Sequence, residues 1–130
     1  MSTVVPFSAT RAPQLDPHNL ATAELFRLRG TNRVSALTNC IEHLMVNHDM
    51  PEHVAEITAL QAYADIESLN QVARVDINST TSHLVVLRTE GGRPVAFTVT
   101  ELLRLLNRAR DGGEAKVVDR ESRRPVVIEH

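Results

Sequence analysis

Apolar residues between Leu20 and Met45 return every three or four positions, the spacing of one helix face rather than of a strand. A first short helix is expected to open at Asp16-Pro17, an acidic cap followed by proline at the first helical position. It includes Leu20, Glu24, Leu25 and Leu28, and Gly30 stops it. A second helix, capped by Thr31 or Asn32, places Val34, Leu37, Ile41, Leu44 and Met45 within about 100° of one another on the helical wheel, with Asn39 and His43 on the opposite side. It ends near Asn47-His48-Asp49. A third helix starts at Met50-Pro51-Glu52. Its apolar residues fall on two faces, Val54, Ile57, Leu60 and Ala64 on one and Ile66, Leu69, Val72 and Ala73 on another. No Gly or Pro interrupts the stretch, so a continuous helix to about Ala73 is expected, touching different neighbours at its two ends as a helix at a dimer contact would.

From Arg74 the period changes from helical to alternating. Val75 and Ile77 alternate with Arg74, Asp76 and Asn78. Leu84-Val85-Val86-Leu87 and Val95-Ala96-Phe97 flank the turn residues Glu90-Gly91-Gly92-Arg93. This predicts a hairpin with a preceding short strand. Thr98 and Glu101 then form a capping-box pair ahead of a helix that buries Leu102, Leu105, Leu106 and Ala109, with Leu103 on its flank, and ends at Gly112-Gly113. Lys116-Val117-Val118 and Pro125-Val126-Val127-Ile128 read as a closing hairpin. Residues 1–15, with Pro6 and Pro13 among small polar residues, show no period and read as a tail. The predicted architecture is α+β: three N-terminal helices, then a small, mainly antiparallel C-terminal sheet covered by one helix. Residues 16–130 are read as one domain, with a helical half over 16–73 and a ββαββ half over 74–130.

Composition narrows the picture. Of 130 residues, 42% are hydrophobic but only Phe7, Phe26, Tyr63 and Phe97 are aromatic, so the core is aliphatic and modest, the kind a second copy often completes. The expected state is a homodimer. No apolar run approaches the ~20 residues of a membrane span, and the first residues carry neither a basic leader nor a long apolar stretch. A single cysteine, Cys40, excludes an intrachain disulfide and fits a reducing, cytoplasmic compartment.

Charge separates the halves. Residues 1–70 carry four Arg against eight acids, whereas residues 71–130 carry ten basic against eight acidic groups. A net charge of −2 is poor in the dense basic patch that duplex binding requires. Thirteen of the fourteen basic residues are Arg, a bias that a GC-rich genome produces without any recognition role.

The catalytic and metal patterns fail on spacing. His43, His48 and His53 are five apart, whereas helical ligand pairs sit three or four apart. Cys40 and His43 lie mid-helix with no oxyanion nest, which leaves Cys40 a structural residue. Ser79-Thr80-Thr81-Ser82-His83 with Asp76 reads as a polar loop, and neither glycine pair has phosphate-loop spacing. No catalytic residue, cofactor or metal is therefore assigned. The expected function is a non-enzymatic protein-interaction module, of the size of a bacterial or phage regulator or inhibitor, with Glu52, Glu56, Asp65 and Glu67 as an acidic partner-facing surface. The alternative is a nucleic-acid-associated regulator using Arg104, Arg108, Arg123 and Arg124. An enzyme acting on a small molecule through the 76–83 segment ranks third.

Overall fold

Asp16 opens the first helix as its sequence predicts: its carboxylate accepts from the His18 amide at 2.9 Å, and Pro17 takes the first helical position of α1 (Pro17–Arg27). Of the two candidate caps for α2 (Arg33–Asn47), Asn32 is the one used, its side chain accepting from the Ser35 amide at 2.8 Å. The connection to α3 (Glu52–Glu67) turns at Asp49, whose φ of 55° is a left-handed conformation that Asp tolerates better than most residues. The structure, a computed structural model, describes residues 16–118 and 124–129. The tail expected over residues 1–15, the turn of the closing hairpin and Arg123 lie outside the described residues.

Of the described residues, 16–66 together with 117, 118 and 124–127 form one compact unit, and 67–116 with 128 and 129 form another. The first unit is helical. Leu37, Ile41 and Leu44 of α2 are fully buried and pack with Ala21 and Leu25 of α1, Ala55, Ala59 and Ala62 of α3, and Val118. The closing segment thus contributes to the helical core. The Thr38 hydroxyl donates to the Val118 carbonyl, which fixes that segment on α2.

Helix α3 departs from the sequence reading twice. It stops at Glu67 rather than Ala73, because residues 68–70 form a turn closed by the Gln71 amide on the Ser68 carbonyl. Ser and Asn are weak helix formers that favour such turns, so no Gly or Pro is needed. Its inward face is the stripe Ala55, Ala59 and Ala62, all fully buried, whereas Val54 and Ile57 are exposed. Three alanines on one face let the backbone of α3 approach its neighbours closely.

The second unit holds a three-stranded antiparallel sheet, order β1 (Arg74–Val75), β2 (Leu84–Arg88), β3 (Pro94–Thr98), followed by α4 (Val99–Asp111). Register pairs Val85 with Phe97 and Leu87 with Val95 across β2 and β3, and Val75 with Leu87 across β1 and β2. Because successive strand side chains alternate in face, Val75, Val85, Leu87, Val95 and Phe97 share one side of the sheet. The expected alternation to Ile77 ends early. Asp76 accepts from the Ser79 amide, an Asx-type turn that takes the chain out of the sheet, and Ile77 is 82% exposed. The capping box of α4 is present in both directions, Thr98 Oγ1 accepting from the Glu101 amide and Glu101 Oε1 from the Thr98 amide. Strands β4 (Ala115–Val117) and β5 (Val126–Ile128) form a two-stranded sheet. The whole is an α+β fold with three N-terminal helices and small antiparallel sheets.

Candidate functional site

The acidic residues on α3 and nearby are mostly committed to partners inside the helical unit. Arg124, whose side chain is only 5% exposed, places Nε 2.6 Å from Glu52 Oε2 and 3.1 Å from Glu56 Oε2. Its Nη2 lies 3.8 Å from the Met45 sulfur. Asp65 Oδ2 is 2.7 Å from His18 Nε2, tying the end of α3 to the start of α1. Glu67 is exposed at the end of α3. Glu52 and Glu56 therefore hold Arg124, Asp65 meets His18 at a largely exposed position, and Arg124 faces inward instead of standing on a basic surface. The remaining cations of the basic set, Arg104 and Arg108, are exposed on α4.

A second group of ionisable side chains gathers between α1 and α2. Glu24 is buried and holds an ion pair with Arg27, and His43 Nε2 lies 3.8 Å from Glu24 Oε1. The Asn47 amide nitrogen lies 3.2 Å from His43 Nδ1, and the His43 and His48 rings meet edge to face with centroids 5.1 Å apart. His53 is exposed on the first turn of α3. Among the described residues no three His, Cys, Asp or Glu side chains gather as metal ligands.

Cys40 is fully buried beside this group, with its sulfur 3.8 Å from the Ala21 carbonyl. Burial, reinforced by the Glu24 charge, pushes its thiol up to about 12. A thiol so protonated is a poor nucleophile near neutral pH. Cys40 is accordingly expected to resist a water-soluble disulfide reagent in the folded protein at pH 7 and to react fully in denaturant. Rapid stoichiometric labelling of the native chain would refute that assignment.

The bond from Arg27 holds the Glu24 carboxyl below its ordinary value of 4.5, against the opposing effect of burial, and the charges of His43 and Arg27 act in the same direction as the bond. A carboxyl that titrates lower when folded adds stability that is complete above its unfolded pKa and is lost as pH falls through the folded one. Glu24→Gln is therefore expected to flatten the acid limb of the stability curve below about pH 4.5. The check is thermal unfolding from pH 7 to pH 3, followed by the fluorescence of Tyr63, the chain's one tyrosine alongside no tryptophan. An unchanged acid limb in the variant would exclude the role.

The polar 76–83 segment does not assemble a triad. Arg88 Nε bonds the Asp76 carboxylate at 3.0 Å and holds it below the usual carboxylate range. The Ser82 hydroxyl lies 3.2 Å from Nδ1 of its neighbour His83, on an exposed turn. Asp76 and the Ser82-His83 pair thus serve separate local contacts, and the arrangement does the work of turns.

What sequence reasoning missed is on α4. Its apolar residues span an arc of about 160° on a helical wheel, from Leu105 through Leu102, Ala109 and Leu106 to Val99 and Leu103. Ala109 is buried and Leu106 is half-buried, but Leu102, Leu103 and Leu105 remain 36%, 53% and 43% exposed. Phe97, Glu101, Arg104, Leu105 and Arg108 line a shallow cleft of about 190 Å³ along the Leu105 edge. The signal was available: the arc is wider than the contact a three-stranded sheet offers a single helix. Reading Leu102 and Leu105 as buried with Leu106 and Ala109 hid it.

Comparison of the chain with protein-family models, with curated proteins and with solved structures finds no match. The geometry above is what the functional reading rests on.

Proposed function

We propose that this chain is a small, non-enzymatic protein-interaction module, a cytoplasmic homodimer acting as a regulator or inhibitor of the bacterial or phage kind by binding another protein. The observation that carries the reading is the apolar surface of the second unit. Val95 and Val75 on one sheet side, and Val99, Leu102, Leu103 and Leu105 on α4, are exposed, while Val86 and Ala109 are its buried hydrophobic residues among those described. This many large apolar side chains left exposed on one small unit support an interaction role. The buried, protonated Cys40 and the Arg88-bound Asp76 give the enzyme reading no support. Among the described residues no helix is long and apolar enough to cross a membrane.

One observation favours the nucleic-acid reading: Arg104 and Arg108 lie one turn apart on the exposed side of α4. Two cations give a shallow salt dependence, since each phosphate contact contributes about one unit to the slope of log affinity against log salt. The two readings separate in one experiment. Affinity capture from nuclease-treated extract of the native host is expected to recover a protein partner with the wild-type chain and to lose it with Leu103→Asp. Capture that disappears with nuclease, together with retention of a DNA duplex at ~50 mM salt that weakens as salt rises with a slope of about two, would instead favour nucleic acid.

A further inference from the structure

We infer that two copies of this chain pair through the Leu105 edge of α4, antiparallel about a two-fold axis, with Glu101 of each copy facing Arg108 of the other. The inference deepens the homodimer part of the proposed function by naming its face. Among the described residues of the unit of β1–β3 and α4, Val86 and Ala109 are the buried hydrophobic side chains. A unit of this size is marginal, so covering its exposed apolar edge would stabilise it.

The shape and charge of the cleft single out a second copy. Phe97 and Leu105 supply an apolar centre, and Glu101, Arg104 and Arg108 border it. Glu101 and Arg108 are seven residues apart, so they lie about 20° from each other around the helix and ~10.5 Å apart along it. In an antiparallel helix pair, residues on the same edge face each other, and a two-fold axis near Leu105 carries the acidic end of one edge onto the basic end of its copy. An isologous interface needs such a self-complementary patch. Arg104 sits about 60° farther toward solvent than Glu101 on the wheel, so its two copies stay apart. Glu101 gives Oε1 to its own Thr98 amide and feels the charge of its own Arg104, and a carboxylate has acceptor positions beyond these for the partner's guanidinium.

The test uses the full chain at ~1–100 μM, where a face of this kind exchanges between monomer and dimer. Sedimentation equilibrium is expected to give twice the 14.4 kDa chain mass. Leu105→Glu, a change at an exposed position, is expected to give the monomer with unaltered circular dichroism. Arg108→Glu is expected to weaken pairing by roughly tenfold or more. Glu101→Arg does the same, though it also removes one of the two bonds of the capping box, so the decisive arm is a mixture. An Arg108→Glu chain and a tagged Glu101→Arg chain oppose unlike charges at both contacts only in the mixed dimer. Each is expected to self-associate weakly and the two to pair together at near wild-type affinity. A monomer throughout the concentration range would overturn the homodimer and this face alike. A dimer indifferent to Leu105→Glu, or charge variants that fail to restore one another, would overturn this face alone.

Discussion

Leu44→Ala is expected to lower the stability of the helical unit by about 3–4 kcal/mol, through lost burial and the cavity left behind. Leu44 is fully buried on α2, in one cluster with Leu37, Cys40, Ile41 and Val118. The neighbours best placed to close the void are Met45 and Met50, both partly buried against that core. Methionine adapts its shape readily, which keeps the effect short of the largest truncation costs. Val46→Ala, two residues along the same helix at a position 78% exposed, is expected to change stability by no more than about 0.5 kcal/mol. In a unit this small, each kcal/mol moves the unfolding midpoint by about 4–8 °C. Leu44→Ala should therefore melt roughly 12–32 °C below the parent, and Val46→Ala within a few degrees of it. Tyr63 lies in the same unit on α3, with the Arg33 guanidinium 5.3 Å from its ring centroid, so its fluorescence reports this transition specifically. Equal shifts for the two variants would show that α2 does not hold the core as described.

Helix α2 was legible because its largest side chains are also its inward ones: Leu37, Ile41 and Leu44 recur at one spacing with a capping Asn before them. The box at Thr98 and Glu101 was legible because both halves of that contact lie within one turn. Helix α3 was not, because it is apolar on opposite sides. A pattern read by side-chain size selects Val54, Ile57 and Leu60, whereas packing rewards the smallest residues where two backbones approach, and Ala55, Ala59 and Ala62 are the buried set. The same limit applies to α4. Periodicity finds its apolar arc but not how much of that arc the sheet covers, and the exposed Leu103 and Leu105 are where the functional reading now rests.

Arg124 shows the limit most sharply, and its replacement is the second large effect expected. In sequence it belongs to an Arg-rich turn; in the fold it holds Glu52 and Glu56, contacts across 72 and 68 positions that no local spacing announces. Arg124→Met keeps the length of the side chain and removes its charge. It is expected to cost about 3 kcal/mol, the low end for breaking a buried pair, because the penalty comes from the carboxylate left behind. The two carboxylates differ in that respect: Glu52 is 43% exposed and water can resolvate it, whereas Glu56 is 12% exposed and cannot escape. Adding Glu56→Gln to Arg124→Met should therefore recover most of the loss, and adding Glu52→Gln little of it. Urea unfolding of the parent, the single variant and the two doubles decides the matter. If Glu52→Gln restores more than Glu56→Gln, the buried charge sits on the other carboxylate; if Arg124→Met costs nothing, the guanidinium is an ordinary surface group after all.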